Sequence, residues 1–230
     1  MTIIYVPAPG TASNTLKKKL EIILNCKSKN LKTEAGIGHF FLNVPDNKKI
    51  LKRLKLDFFD KSPLIYGHFF PTKRNLSLLN YYYGIEHIII SYRNIYEQLN
   101  YFYKWQKYNL RCPFNFQDDV NFSNKNEFDS NNFNIDLSLL LVLNFYKHWF
   151  YLIQNNKINN FTLFNFEEIT TCNKDYQKKI KNIFKNQIKF DNNVKENLFK
   201  REKFEFHPRH KQLIEEFISC HKEVDFSLII

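Results

Sequence analysis

The chain has 230 residues, enough for one well-buried α/β domain or two small ones, and its 43% hydrophobic and 25% charged residues are ordinary for a globular protein. Lys and Arg outnumber Asp and Glu by 34 to 23, and the resulting net charge of +11 favours an anionic partner. Codon bias is an equally good explanation for part of that charge, because the Asn, Lys, Ile, Phe and Tyr that crowd the sequence have AT-rich codons.

The cysteines are widely spaced and include no C-x-x-C pair, which excludes a dense disulfide framework and the usual zinc-ligand spacing. The N-terminus lacks the basic start and apolar stretch of a signal peptide, so we expect a cytoplasmic protein. The most hydrophobic run, Leu137 to Ile153, contains Asn144, Lys147 and His148. Those polar groups favour a buried core helix over a membrane span, so no transmembrane segment is expected.

Short apolar runs predict strands, and amphipathic runs between them predict helices. The predicted strands are Ile3–Val6, Gly38–Asn43, Leu64–Gly67, His87–Ser91 and Phe161–Asn165. The predicted helices are Thr11–Leu24, Lys48–Leu56, Lys73–Leu79, Asn94–Tyr108, Ile135–Gln154, Lys174–Gln187 and His210–His221. This alternation predicts a single α/β domain over residues 1–230, with a central parallel sheet flanked by helices. The polar stretch 113–134 is either a loop over a site or a surface insertion.

The opening stretch "MTIIYVPAPGTASNTLKKKL" predicts a strand, a tight turn at Gly10 and a helix. A helix N-terminus behind a strand is suited to binding an anion, because its first N–H groups lack partners and its dipole is positive there. Side-chain donors at Thr11, Ser13, Asn14 and Thr15 fit such a site. The ATP-type loop G-x-x-x-x-G-K-[ST] is absent, which argues against an ordinary ATPase or kinase. A capped helix without a ligand stays an alternative.

The segment "PAPGTASNTLKKKL" resembles the 5′-phosphosulfate loop of sulfotransferases, which reads P-K-x-G-T-T-x-L. Pro7, Gly10 and Thr11 match, whereas Ala8 stands where the family has Lys or Arg. The resemblance implies 3′-phosphoadenosine 5′-phosphosulfate (PAPS) as co-substrate, held by Gly10, Thr11, Ala12, Ser13, Asn14 and Thr15. The role of the missing cation then passes to Lys17, Lys73 or Arg74.

The segment "SYRNIYEQLNYFY" resembles the family's second nucleotide motif, in which R-D-P precedes a helix with a Ser eight residues after the Arg. Arg93 matches the Arg, which implies a contact with the 3′-phosphate. Asn94 and Ile95 replace Asp-Pro, and Tyr101 takes the place of the Ser. Further along, Lys200 or Arg201 of "FKREKF" fits the family's late basic loop over the 3′-phosphate, with a solvated charge run as the alternative.

The segment "YGHFFPTKRNL" resembles the G-H-x motif of uronyl and heparan-type sulfotransferases, whose His takes the proton of the acceptor. The resemblance implies that His68 is the general base, and an imidazole has a suitable unperturbed pKa. His39, in the earlier "GHFF", is the rival, with Ile37 where the related glucosaminyl enzymes have their catalytic Glu. Glu34 is the nearest carboxylate. A structural histidine is the alternative for both.

Taken in order along the chain, these motifs imply a PAPS-dependent sulfotransferase with a fold like that of P-loop nucleotide hydrolases. The acceptor would be a hydroxyl or an amine, with a carbohydrate among the candidates, and no metal is expected. One rival is a sulfotransferase-fold protein that binds a nucleotide or glycan without turnover, which Ala8 and Tyr101 favour. The other is a basic nucleic-acid-binding protein, favoured by the net charge of +11 but not expected, because the aromatic periodicity indicates core packing.

Overall fold

The computed structural model describes residues 1–30, 32–33, 36–37, 62–107, 135–185 and 204–230. The chain forms two compact units, and each is assembled from two separate stretches. The first comprises Met1–Tyr92 and Asn160–Asn197, and the second comprises Arg93–Asn159 and Leu198–Ile230. One domain over residues 1–230 stays a prediction.

The described elements include the predicted strands and helices that lie within the described residues, together with three short strands and one short helix that the sequence did not predict. In chain order the strands are β1 (Ile3–Pro7), β2 (Lys29–Asn30), β3 (Lys32–Thr33), β4 (Gly36–Ile37), β5 (Leu64–Tyr66), β6 (His87–Tyr92) and β7 (Phe161–Asn165). The helices are α1 (Ser13–Ile23), α2 (Lys73–Tyr83), α3 (Ile95–Lys107), α4 (Ile135–Gln154), α5 (Phe166–Thr171), α6 (Lys174–Phe184) and α7 (Pro208–Cys220). The predicted strand Gly38–Asn43, the predicted helix Lys48–Leu56 and the stretch 113–134 lie outside the described residues.

The first unit is built on a five-stranded sheet with the order β2-β5-β1-β6-β7, and every neighbouring pair in it is parallel. The predicted α/β class with a central parallel sheet is therefore confirmed. A separate antiparallel pair joins β3 to β4. The strands read as continuous apolar runs because both faces of a parallel sheet are covered.

Strand β1 lies at the centre of the sheet, and its five residues are all buried. From β1 the chain reaches β5 on one side of it and then passes to β6 on the other, so the strand order reverses at β1. In open α/β sheets, ligands bind outside the carboxyl ends of the strands at such a reversal. The loop that follows Pro7 lies at this edge.

Helices α1 and α6 pack on the same face of the sheet. Leu16 and Leu20 of α1 join Tyr176, Ile180 and Ile183 of α6 in one buried cluster with inward-facing strand residues. The short helix α5 continues directly from β7. Its start is fixed by a capping box, because the Asn165 side chain accepts from Glu167 N at 2.8 Å and Glu168 reaches back to the Asn165 N–H.

The second unit consists of α3, α4 and α7 with the C-terminal segment. Helix α4 carries the apolar run of the sequence as a core helix, as predicted, with Tyr146, Trp149 and Phe150 buried. Among the described residues, none of the helices has the length and apolarity needed to cross a membrane. The chain end is held to the start of α3, where Ile95 N donates to Ile229 O at 2.7 Å.

A polar network joins the three helices of this second unit. The Tyr103 hydroxyl lies 2.6 Å from His210 Nδ1, and His210 Nε2 lies 3.0 Å from Asp136 Oδ1. Arg209 pairs with the same carboxylate at 2.8 Å. Burial lowers the pKa of His210, although Asp136 opposes that shift.

Candidate anion site at the end of the first strand

The backbone after β1 alternates in the sign of φ over three successive residues. Gly10 has φ 77° and Ala12 has φ 54°, whereas Thr11 between them is not in the positive region. Alternation between the left- and right-handed regions can turn successive N–H groups towards one point, in the concave arrangement called a nest that suits an anion. We refer to residues 10–12 as the nest. The left-handed conformation is ordinary for Gly10 but costs free energy at Ala12, because a side chain with a Cβ is disfavoured there.

A chain of buried hydroxyl groups holds this loop to the neighbouring strand. Thr11 Oγ1 donates to Ala8 O at 2.6 Å and lies 2.7 Å from Ser91 Oγ, which lies 2.9 Å from the Tyr5 hydroxyl. Because Thr11 gives its one proton to a carbonyl, Ser91 must donate to Thr11 and Tyr5 must donate to Ser91. Burial raises the pKa of Tyr5 well above its usual value, which keeps that donor protonated.

The same chain of hydroxyl groups determines which atoms of Thr11 and Ala8 could contact a ligand. Both residues are fully buried, and the Ala8 N–H donates to Ser91 O at 3.1 Å. The Thr11 hydroxyl, which the sequence suggested as a ligand donor, is therefore used inside the fold. Because Ala8 is fully buried, the side chain of a lysine at position 8 would have to begin inside the packed interior. The loop therefore suits a small residue at this position.

Helix α1 begins directly behind the nest. Thr15 N and Leu16 N both donate to Ala12 O, at 3.0 and 3.1 Å, and Ser13 and Asn14 stand ahead of these first helical bonds. The side chain of Ala12 provides no cap. The positive end of the helix dipole therefore points at the carboxyl edge of the sheet, where β1 ends.

His68 is anchored beside this loop by its first ring nitrogen. Nδ1 lies 2.7 Å from Pro7 O, which can only accept, so Nδ1 carries the proton and a neutral ring has its lone pair on Nε2. Nε2 lies 3.5 Å from the hydroxyl of Tyr66. The half-buried His68 is therefore held in one tautomer next to the end of β1, and Nε2 is its basic nitrogen.

Tyr66, at the end of β5, connects His68 to the first turn of α1. It is hydrogen-bonded to the Ser13 side chain, and burial raises its pKa despite that bond. The ammonium of Lys17 lies 5.0 Å from the centre of the Tyr66 ring. Ser13, Lys17 and His68 thus converge on one buried tyrosine. The sequence did not indicate Tyr66 as a site residue, because the strand pairing that places it beside β1 is not visible in the sequence.

The three consecutive lysines of α1 have three different environments. Lys17 lies over the Tyr66 ring, and Lys18 is exposed. Lys19 is buried and donates to Ile169 O at 2.6 Å and to Cys172 Sγ at 2.9 Å, so it ties α1 to the end of α5. Of the three, Lys17 is the cation nearest to the first turn that is not committed to the core.

Arg93 follows β6 and belongs to the second unit. Its side chain is 12% exposed and forms an ion pair of 2.9 Å from Nη2 to Glu97 Oε2, one turn along. Its N–H donates to the Tyr146 hydroxyl at 3.1 Å. Tyr101 lies on α3 of the same unit, half-buried against Phe102.

The remaining candidate residues from the sequence are exposed or lie outside the described residues. Lys73 and Arg74 are exposed in the first turn of α2. Glu34, His39, Lys200 and Arg201 lie outside the described residues. Within the described ranges, no group of His, Cys, Asp and Glu residues is arranged to hold a metal ion.

No family model matches the chain, and no curated protein matches it. The functional argument therefore stands on the residues and their geometry.

The buried hydroxyl chain makes a direct prediction for stability. Thr11→Val keeps the shape of the side chain but leaves the Ala8 carbonyl without its donor and the Ser91 hydroxyl without its acceptor. We expect a loss of about 1–3 kcal/mol in the free energy of unfolding, measured by urea denaturation. Thr11→Ser keeps the hydroxyl and should retain most of that stability. Equal losses in both variants would contradict the hydrogen-bonding role and indicate a packing effect of the methyl group.

Proposed function

We propose that this chain transfers a sulfuryl group from PAPS to an acceptor hydroxyl or amine, with residues 10–15 holding the 5′-phosphosulfate. The observation that carries the proposal is the nest at Gly10–Ala12, which lies where the strand order reverses and leads into the positive end of α1. The resemblance of "PAPGTASNTL" to a phosphosulfate loop supports the same position.

In this proposal the acceptor atom attacks sulfur while the bond between sulfur and the bridging oxygen breaks. Negative charge then develops on the departing 5′-phosphate, and N–H groups of the nest and the first turn of α1 stabilise it. The acceptor gives up its proton as it attacks, and His68 Nε2 receives it. The 2.7 Å bond from Nδ1 to Pro7 O supports this role, because it puts the ring proton on Nδ1 and leaves the lone pair of the neutral ring on Nε2.

Lys17 is the best candidate for the cation that Ala8 does not supply. Ser13 and Lys17 are four residues apart, so they lie on one face of α1, and helical side chains lean towards the N-terminus. The ammonium over the Tyr66 ring and the Ser13 contact with the Tyr66 hydroxyl support a position of Lys17 beside the first turn. Lys18, exposed on α1, is its natural control.

Arg93 is proposed to hold the 3′-phosphate. In the structure its guanidinium already engages one carboxylate oxygen of Glu97 at 2.9 Å. A guanidinium has five donors, so a phosphate can share it with Glu97, but the carboxylate repels the phosphate and competes for the donors. Glu97 therefore weakens the proposed contact between Arg93 and the 3′-phosphate.

Nucleotide binding without turnover is the second candidate function, and the full burial of Ala8 favours it. A loop built around a small buried residue lacks the family's cation beside the bridging oxygen. The two functions share the nucleotide site and differ in whether sulfate is transferred, so binding and turnover are measured separately.

Substitutions at the two partners of the Arg93–Glu97 ion pair should change the affinity for the nucleotide in opposite directions. Calorimetry should detect binding of adenosine 3′,5′-bisphosphate to the wild type. Arg93→Ala removes a charged hydrogen bond worth about 1.5–3 kcal/mol, which corresponds to roughly 10- to 150-fold weaker binding. Glu97→Gln removes the competing charge and should tighten binding.

Adenosine 5′-phosphate, which lacks the 3′-phosphate, is the control ligand, and both variants should leave its affinity almost unchanged. Equal losses for both ligands in Arg93→Ala would contradict the assignment of Arg93. No binding of the bisphosphate by the wild type would contradict the nucleotide site itself.

The base assignment predicts loss of turnover with binding retained. His68→Ala removes the proton acceptor, so transfer of labelled sulfate from PAPS to pooled sugar, lipid and phenol acceptors should fall by about 10²–10⁴-fold while bisphosphate affinity is kept. His39→Ala is the matched control and should be much milder. If the wild type binds the bisphosphate but labels no acceptor, the binding-only function is supported. If His68→Ala keeps full activity, the base is wrongly assigned.

A further inference from the structure

Helix α6 carries lysines on the side opposite to its buried face. Its apolar residues Tyr176, Ile180 and Ile183 are buried in the core cluster of the first unit. The lysine ridge consists of the exposed residues Lys174, Lys178, Lys181 and Lys185, the last of which caps the helix. At 100° per residue these four positions lie within about 60° of arc, and the buried residues lie on the far side.

The ridge is straight and of one sign. From Lys174 to Lys185 it spans about 16 Å, with a lysine every three or four residues. Among the described residues, Asp175 lies one position further around the helix than this line, and Glu168 is paired with Lys179 at 2.7 Å. A regular row of ammonium groups is complementary to a regular row of phosphates, since a duplex carries one charge per about 1.7 Å of its axis.

The surroundings of the ridge favour a nucleic acid over a lipid surface. A helix that lies in a membrane interface inserts its apolar face, but the apolar face of α6 is already buried against α1 and the sheet. The cations are all lysines, which act as point charges on phosphates and lack the bidentate geometry with which Arg reads guanine. Backbone contact without sequence readout is the mode that such a surface fits.

We propose that the lysine ridge of α6 binds the phosphate backbone of double-stranded nucleic acid, independently of base sequence. The net charge of +11 assists the approach of this partner. The inference uses residues 174–185 alone and does not depend on sulfuryl transfer or on the nucleotide site. It assigns part of the basic charge to one exposed face of α6, whereas the sequence alone established only the net charge of the chain.

The test compares two variants of equal charge. The ridge variant carries K174Q, K178Q, K181Q and K185Q. The control variant carries K18Q, K157Q, K211Q and K222Q, four exposed lysines from elsewhere in the described residues. Each lowers the net charge from +11 to +7. Binding of a fluorescein-labelled duplex of about 20 base pairs is followed by anisotropy at several potassium chloride concentrations, and circular dichroism confirms that both variants fold.

We expect the wild type to bind with a steep salt dependence, and the ridge variant to bind at least about 100-fold more weakly at low salt. The slope of log K against log salt should fall by about 3–4, since each lost phosphate contact contributes about 0.9. The control variant should keep most of the wild-type slope.

Two results of the duplex titration would overturn the proposal. The first is no binding of the duplex by the wild type at about 50 mM salt. The second is an equal loss of duplex affinity in the two variants, which would show that binding depends on net charge and not on the ridge. A third would be binding to phosphatidylserine vesicles that depends on the ridge while duplex binding does not. Retained binding of adenosine 3′,5′-bisphosphate by the ridge variant separates this outcome from any failure of the proposed transferase.

Discussion

The hydroxyl chain from Tyr5 through Ser91 to Thr11 is the interaction on which the carboxyl edge of the sheet depends. It runs from the central strand to β6 and ends on the carbonyl of Ala8, with each proton donated in one direction. Because all of its members are buried, breaking one link leaves polar groups without partners in a low-dielectric interior. The loop before α1 is therefore held to the sheet by these hydrogen bonds.

This constraint explains why a strained residue is tolerated at Ala12. A non-glycine residue in the left-handed region persists only when its surroundings determine it, and here Thr11 on one side and the first helical bonds on the other do so. The result is a loop of fixed conformation at the positive end of α1. Preorganisation matters for the proposed function because donors that are already in place need not reorganise as charge develops.

The sequence predicted the elements that depend on local pattern and missed the features that depend on long-range pairing. The bounds of α4 and β7 follow from their own apolar residues and were predicted to the residue. The partnership of Thr11 with Ser91 could not be predicted, because the two lie 80 positions apart and meet only when β6 pairs with β1. Helix α5 was not predicted either, since six residues give too little periodicity to read.

The same distinction separates the candidate residues. Gly10 was predicted from its isolation in a glycine-poor sequence, and its positive φ confirms the tight turn. The predicted donor Thr11 proved to face the interior, which only the burial of the loop shows. Tyr66 was overlooked as a site residue, because an aromatic in an apolar strand looks like core until Ser13, Lys17 and His68 are seen to meet on it.

Backbone amide chemical shifts, recorded while adenosine 3′,5′-bisphosphate is titrated into the isotope-labelled protein, test the central claim most directly. If the nest and the first turn of α1 hold the 5′-phosphate, the largest shifts will fall on the amides of residues 10–15, at the end of the central strand. If these amides are unchanged while others shift, such as those of α6 or α7, the ligand binds elsewhere and the proposed anion site is wrong.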